Sequence, residues 1–276
     1  MPVVGGLFDG QIYHTPIFTG PRPVTQFAQL TEVRSNVFSK YHALVLQANR
    51  RLTNGLQFQS SYTLSRSYDN GQSSVTFTSN NLPFNAFDQQ GENSLSNFDR
   101  RQKFVTSLIY NTNFKGGSKG SRAVLNGWTF APILNAFSGA RYTSNITGSI
   151  TPTAYGFASN TTPGGGVNGS GGATRFALLP RNFFKQPKIW YVDMRISRRF
   201  RITESTKLEL LAEGFNLFNR TQVTGLNTTI YAFSTMGCPA GFAQCLTPNA
   251  PYRTVTGADS TLFRERQIQL AVRFQF

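Results

Sequence analysis

The stretch that decides the fold is QIQLAVRFQF at positions 267–276, in which apolar and polar side chains alternate almost without a fault. Successive side chains of a β-strand point to opposite faces of the sheet, so a period of two predicts a strand. The apolar face would carry Ile268, Leu270, Val272, Phe274 and Phe276. The opposite face would carry Gln267, Gln269, Ala271, Arg273 and Gln275. Ten tilted strand residues rise about 25 Å, which matches the apolar band of an outer-membrane barrel. We therefore expect a membrane-spanning strand whose apolar face meets lipid.

Other segments repeat this alternation along the chain. The segments with strand patterns are 26–34, 41–50, 56–64, 103–111, 127–137, 190–196 and 207–215, and residues 7–13 are a ninth candidate. Pro132 lies inside one of them and predicts a bulge or a break there, because proline cannot donate to a strand ladder. The pattern predicts an all-β fold, an antiparallel meander of about 8–9 transmembrane strands.

The connections alternate between short and long. Residues 52–55 and 202–205 form tight turns, and residues 112–125 form a medium connection. Long loops are expected at about 67–97, 143–186 and 219–263. Outer-membrane barrels have short turns on the periplasmic side and long loops on the outer side. We therefore expect one barrel domain, itself partial, over residues 1–276.

The composition is strongly basic, with 27 Lys and Arg against 12 Asp and Glu and a net charge of +15. The basic residues are scattered, and pairs such as Arg50-Arg51 and Arg198-Arg199 fall near strand ends. This distribution favours headgroup or rim contacts over a nucleic-acid surface, so no nucleic-acid partner is expected. No run of 18 apolar residues exists, which excludes a transmembrane helix, and the mean hydropathy of −0.26 suits strands with one polar face.

The two cysteines, Cys238 and Cys245, lie in one predicted loop. Their spacing suggests a local disulfide and an oxidising compartment, and it leaves a pair of free thiols open. The histidines His14 and His42 are far away in sequence, so a four-ligand zinc site is not expected.

The charged residues expected on the lumen side are Asp193, Arg195, Glu209, Glu213 and Arg273. The tight turn at 202–205 makes the flanking strands adjacent, and pairing of opposite charges favours a register in which Arg195 faces Glu209 or Glu213. Aromatic residues at strand ends predict a membrane-interface girdle of Trp128, Trp190, Phe274 and Phe276. No catalytic constellation is present, so we expect a protein that is not an enzyme, with no cofactor and no metal.

Six stretches, in order along the chain, resemble the C-terminal barrel of Oar-like TonB-dependent outer-membrane receptors. They are YHALVL at 41–46, GLQFQSSYTLS at 55–65, FDRRQKFV at 98–105, NGW at 126–128, SG at 138–139 and AEGFNLFN at 212–219. The resemblance runs from about residue 21 to residue 276. Gly214 departs from the family, which more often has an aromatic residue there. The terminal Phe276 resembles the signal that the barrel-assembly machinery reads.

The resemblance implies a receptor or transporter in the Gram-negative outer membrane that imports a large solute, with membrane lipid and the TonB complex as partners. Such barrels have about 22 strands and a plugged lumen, so this chain is expected to be a fragment, the closing third of the barrel. No plug domain, TonB-binding segment or secretory signal is visible, and the TonB partner would act through the missing N-terminal part. A small passive outer-membrane pore or surface adhesion barrel is the first alternative. A secreted β-sandwich binding module is the second.

Overall fold

The structure is a computed structural model that describes residues 1–14, 24, 26, 35–71, 83, 89–156, 175–258 and 264–276. The strands in this part of the chain are β1 Ser39–Thr53, β2 Leu56–Asp69, β3 Ser94–Leu95, β4 Gln102–Asn111, β5 Trp128–Phe137, β6 Arg141–Tyr142, β7 Asn145–Thr147, β8 Phe184–Lys185, β9 Ile189–Arg201, β10 Lys207–Phe215, β11 Val223–Leu226, β12 Thr229–Ser234, β13 Cys245–Pro248, β14 Val255–Ala258 and β15 Gln267–Gln275. The same residues contain the α-helix α1, Lys119–Leu125, and 3-10 turns at Gly6–Phe8, Gln90–Glu92 and Pro152–Tyr155. None of the described helices has the length and apolar character needed to cross a membrane.

Seven long strands form one antiparallel sheet in the order β1-β2-β4-β5-β9-β10-β15, and the short β3 pairs with the end of β2. Long strands that follow one another in the chain are neighbours in the sheet, so the predicted antiparallel meander is confirmed. The seven strands cover the predicted segments 41–50, 56–64, 103–111, 127–137, 190–196, 207–215 and 267–276. The predicted segment 26–34 lies outside the described residues except for Gln26.

Residues 7–13 do not form the ninth strand, and that prediction was wrong. Gly6–Phe8 is a 3-10 turn, and Ile12 makes only an isolated bridge to Pro2. Gly10 has a φ of +78°, and its N–H donates to the carbonyl of Val3 at 2.9 Å. A left-handed residue of this kind turns the backbone out of the extended conformation that strand alternation requires.

The long sheet has an apolar face and a polar face, and the cross-strand registers keep the two sets of side chains apart. The apolar face includes Leu44, Leu46, Leu56, Phe58, Tyr62, Phe104, Leu108, Phe130, Leu134, Met194, Ile196, Leu208, Leu210, Ile268, Leu270, Val272 and Phe274. Leu210 and Leu270 are 43% and 78% exposed, whereas Ser197 and Glu209 on the polar face are 5% and 8% exposed. This burial is inverted relative to a water-soluble sheet, and an exposed apolar surface of this extent marks contact with lipid or another protein.

The three shorter connections leave the sheet at one end, which we call the short-turn end. Asn54 and Gly55 join β1 to β2 with φ angles of +50° and +79°, the pair of positive values that a type I′ hairpin needs. The N–H of Ile202 donates to Thr206 across the β9–β10 turn at 3.0 Å. Helix α1 lies in the third connection. The long connections leave at the opposite end, the long-loop end.

Strand β5 continues through Pro132, so the expected bulge or break is not found. Pro132 lies opposite Met194 in an unshifted register with β9. On the other side, β4 pairs with β5 from Lys103 to Ser107 and again at Tyr110 and Asn111, in the same register. Proline lacks only its own backbone N–H. The gap in strand pairing is therefore confined to the side of β5 that faces β4.

Strands β1 and β15 are the two edges of the sheet, and in the described part of the chain they do not pair with each other. Every residue of β1 and of β15 is exposed. The sheet formed by the described residues is therefore open.

The most tightly packed apolar core lies at the long-loop end and not within the sheet. Its buried residues are Val3, Tyr13, Ile146, Phe176, Ile230, Tyr231 and Leu246. The ring of Phe176 lies 5.5 Å from that of Tyr13 and 5.2 Å from that of Tyr231. We call the layer formed by residues 1–14, 89–101, 138–156, 175–188 and 216–258 the loop cap.

The loop cap contains more regular structure than the predicted loops at 67–97, 143–186 and 219–263. Strand β2 extends into the first loop as far as Asp69, and β3 lies within it. In the other two loops, β12 pairs with β13 and, in parallel, with β7, while β11 pairs with β14. These strands have three to six residues, which is too short for a clear period of two.

Candidate functional site

The five charged residues expected on the lumen side all lie on the polar face of β9, β10 and β15. The register places Arg195 opposite Glu213, and Arg195 Nη2 lies 2.5 Å from Glu213 Oε1. Glu209, which is also on β10, lies opposite Arg273 on β15. Asp193 accepts a hydrogen bond from the backbone N–H of Asn216 at 2.9 Å. The charges therefore form rows across three strands.

Glu209 is shared between two guanidinium groups. Arg199 Nη2 and Arg273 Nη1 each lie 3.7 Å from a carboxylate oxygen of Glu209. The side chain of Glu209 is 11% exposed, whereas those of Arg199 and Arg273 are 57% and 59% exposed. The carboxylate is thus the buried centre of the row, and the cations face open space.

Cations outnumber carboxylates on this part of the polar face. Arg201 and Lys207 lie opposite each other, two residues closer to the short-turn end than the pair of Arg199 and Glu209. With Arg195, Arg199 and Arg273 they make five cations, against the three carboxylates of Asp193, Glu209 and Glu213. A surface with an excess of one charge attracts solutes of the opposite charge.

A second set of ion pairs holds the loop cap to the end of β2. Arg181, whose side chain is fully buried, donates to the carboxylate of Asp69 at 2.6 Å and to the backbone carbonyl of Glu92 at 2.9 Å. Arg175 makes a bidentate pair with Glu92, with N–O distances of 2.5 and 2.7 Å. Bidentate charge-assisted hydrogen bonds are among the strongest that side chains form.

Asp99 makes a third buried connection in the loop cap. One of its oxygens accepts from the Nε of Arg141 at 2.9 Å, and the other accepts from the backbone N–H of Ser67 at 3.0 Å. The carboxylate therefore joins the end of β2 to the loop that follows β5.

These cap residues were not among the charged residues that the sequence pattern predicted on the lumen side. The composition alone predicts that buried carboxylates are paired, because 27 basic residues are available to 12 acidic residues. Buried charges are rarely left unpaired. Which arginine meets which carboxylate depends on contacts between loops that are distant in sequence.

Several residues of the stretches that carry the resemblance form corners at the long-loop end. Asn216 has a φ of +47°, and its side-chain amide donates to the carbonyls of Arg220 and Arg264 at 3.0 and 2.9 Å. A Cβ on Gly139 would lie 1.8 Å from the carbonyl oxygen of Gln186. These residues shape the barrel rim, so the stretches report architecture and do not identify a solute.

Trp128 and Trp190, two of the expected girdle residues, lie on the apolar face at opposite ends of the sheet. Trp128 pairs with Arg198, eight residues along β9 from Trp190, which corresponds to about 26 Å at 3.3 Å per residue. The Nε1 of Trp128 donates to the carbonyl of Val124 in α1 at 2.9 Å. Arg220 lies 4.9 Å from the ring of Trp190.

Phe274 and Phe276 lie at the short-turn end, on or beyond the last strand. Phe274 pairs with Leu208 and is 62% exposed, and Phe276 follows the end of β15 and is fully exposed. The aromatic side chains thus occupy both ends of the apolar band.

Cys238 and Cys245 form a disulfide in the loop cap, with their Cα atoms 5.4 Å apart. The bond joins the turn after β12 to the first residue of β13. Within the described residues, no group of three or more His, Cys, Asp and Glu side chains is arranged to hold a metal ion.

Comparison with known proteins agrees with this architecture. The profile of a family described as the outer membrane beta barrel domain matches residues 15–269, which is most of the chain. No curated protein and no solved structure matches the chain significantly. The chain belongs to the outer membrane β-barrel domain family, and membership implies an outer-membrane location.

Proposed function

We propose that this chain is the C-terminal part of an Oar-like TonB-dependent receptor, which binds a large solute at the long-loop end and imports it without chemical change. The observation that carries the proposal is the inverted sheet of the described residues, with an exposed apolar face, charged rows around the buried Glu209 on the opposite face, and two open edges. The remaining partners would be outer-membrane lipid, the barrel-assembly machinery and the TonB complex.

The open edges favour a large barrel. An unpaired strand edge in hydrocarbon leaves backbone N–H and C=O groups without partners, at several kcal/mol per group, so membrane sheets close. Closure between β1 and β15 through the described strands alone would make a barrel of seven long strands, below the eight of the smallest bacterial outer-membrane barrels. Pairing of each edge with a further strand satisfies both edges in a wider barrel.

The loop cap favours recognition of a solute over simple passage. A passive pore needs an open mouth, whereas here the long loops pack into their own core with Tyr13 and Phe176 at its centre. A folded surface at the long-loop end can present fixed hydrogen-bonding groups, and preorganised groups bind a solute at lower entropic cost.

Transport assays in cells distinguish a receptor from a passive pore. Siderophores, vitamins, oligosaccharides and peptides would be supplied to cells with and without the intact gene, and their disappearance from the medium would be followed. We expect uptake of one class to require the gene and to stop when a protonophore removes the inner-membrane proton gradient. Gene-dependent uptake that continues without the gradient would instead favour the passive pore.

A pair of variants connects this uptake to the polar face. Arg195→Gln with Glu213→Gln removes one charged pair from that face, and Arg122→Gln in the exposed helix α1 is the control. We expect the double variant to change the apparent affinity for the solute and the control to leave it unchanged. Equal uptake by the double variant and by the control would place the solute path away from the charged rows.

A further inference from the structure

A cluster of three basic residues lies on the apolar face of the sheet, at the long-loop end of the β1–β2 hairpin. His42 lies directly opposite Arg66, and Lys40 lies opposite Tyr68, two residues further out. Residues at even positions of this hairpin share the face of Leu44 and Leu64, so the three basic residues border the apolar band directly. Their side chains are all exposed.

The aromatic neighbours hold two of the cations at this border. The guanidinium carbon of Arg66 lies 5.5 Å from the centre of the Tyr68 ring, and Lys40 Nζ lies 5.6 Å from that of Phe38. Cations at these distances are attracted to aromatic faces, which limits the freedom of the long side chains.

The cluster has no matching negative charge in the described part of the chain. Strand β1 contains no acidic residue, and the one acidic residue of β2, Asp69, lies on the opposite face and pairs with Arg181. No described carboxylate forms an ion pair with Lys40, His42 or Arg66.

We propose that Lys40, His42 and Arg66 form a binding site for the phosphate of a lipid in the outer leaflet of the membrane. The proposal rests on the apolar face meeting lipid, because only then does the border of that face lie at headgroup level. A phosphate brings several acceptor oxygens and one or two negative charges, which suit the two cations Lys40 and Arg66 and the ring N–H donor of His42. Basic clusters beside a membrane-spanning surface attract anionic headgroups.

The test measures lipid binding to the purified full chain in detergent by native mass spectrometry. The probes are lipid A with two phosphates and lipid A from which both phosphates have been removed. We expect the bisphosphorylated lipid to bind preferentially, and Lys40→Gln with Arg66→Gln to weaken its binding on the order of tenfold. Arg66→Lys, which keeps the charge, should retain most of the binding.

The matched control is Arg50→Gln with Arg51→Gln, which removes two exposed cations from the other end of the same hairpin. The control should bind the bisphosphorylated lipid like the unaltered chain. Heat-modifiable migration in SDS gels would establish that each variant is folded. Unchanged binding by folded Lys40→Gln with Arg66→Gln, equal loss in the control, or equal binding of the dephosphorylated lipid would each overturn the site.

Competition separates a lipid from a free anion. Excess inorganic phosphate should leave lipid A bound, because the acyl chains add contacts along Leu44 and Leu64. Complete displacement by inorganic phosphate would overturn the lipid assignment. Solute uptake is measured separately, so loss of the lipid site and failure of the transport proposal give different results.

Discussion

At the scale of single residues, the backbone conformation of Gly55 shows how strictly the short-turn end is determined. Gly55 has a φ of +79°, and a Cβ at this position would lie 2.3 Å from the carbonyl oxygen of Asn111, the last residue of β4. The carbonyl of Gly55 in turn accepts from the N–H of Asn111 at 2.7 Å. The conformation of Gly55 is therefore set both by the β1–β2 turn and by the contact with β4.

Gly55→Ala is expected to lower the free energy of unfolding by about 1–2 kcal/mol, because a left-handed conformation costs a side chain roughly that much. Unfolding in urea, followed by tryptophan fluorescence, would measure the change. Gly116→Ala is the control, since nothing lies within 4 Å of a Cβ at that position. A change smaller than about 0.5 kcal/mol for Gly55→Ala would show that the turn relaxes freely.

Tyr252 provides a pH-dependent residue in the loop cap. Burial and a hydrogen bond with Tyr142, whose hydroxyl lies 3.4 Å away, raise the pKa of the Tyr252 hydroxyl. Above about pH 10 the unfolded chain releases this proton while the folded chain retains it, so the free energy of unfolding falls as the pH rises. Tyr252→Phe should reduce this alkaline loss, measured by urea unfolding between pH 8 and pH 11. An unchanged slope would exclude Tyr252 as its source.

At the scale of the elements, the strands and the loop cap are stabilised by different interactions. The long strands are joined by ladder hydrogen bonds and by cross-strand pairs such as Arg195 with Glu213. The loop cap is held by an aromatic core, a disulfide and buried ion pairs that attach it to β2. The two parts should therefore respond separately to substitution.

Arg181→Met is expected to loosen the loop cap without unfolding the sheet. Removing the guanidinium leaves the Asp69 and Glu92 carboxylates with fewer partners, and breaking a buried pair in this way costs about 3–5 kcal/mol. Hydrogen exchange should rise in residues 89–101 and 175–188 and stay unchanged in β9 and β10. Arg122→Met, on the exposed helix α1, is the control. Equal protection of the cap in both variants would contradict the role given to Arg181.

At the scale of the whole molecule, the inverted distribution of polar and apolar surface decides which solvent the sheet needs. In water the exposed leucines and phenylalanines of the apolar face would promote aggregation. In a bilayer the same face is stabilised by lipid, and the rows around Glu209 remain on the side away from it. The membrane therefore supplies the apolar partner of this fold.

Leu270→Arg tests the orientation of the sheet. Leu270 lies near the middle of the apolar band, opposite Ala212, and an Arg near the bilayer midplane costs about 2–4 kcal/mol. Gln269→Arg is the control, because position 269 lies on the polar face opposite Glu213. Folding into lipid vesicles should be impaired by the first substitution and tolerated for the second. The reverse order of effects would overturn the assignment of faces.

The sequence by itself determined the long strands, the order in which they follow one another, and the two faces of the sheet. These features follow from a period of two within ten residues and from short turns such as Asn54-Gly55, so they depend on local interactions. The pairing of Arg195 with a glutamate of β10 was also accessible, because a tight turn limits the register to a few choices.

The tertiary structure alone decided the loop cap. Tyr13, Phe176 and Tyr231 come from three distant segments, and no local period marks them as one core. Two predictions were wrong for a related reason. Residues 7–13 do not form a strand, because left-handed glycines turn the backbone there. Pro132 causes no break, because the neighbouring strands hold β5 in register. Arg181 finds Asp69 and Glu92 only after the loops have packed, because the desolvation of a buried charge is decided by neighbours that are far away in sequence.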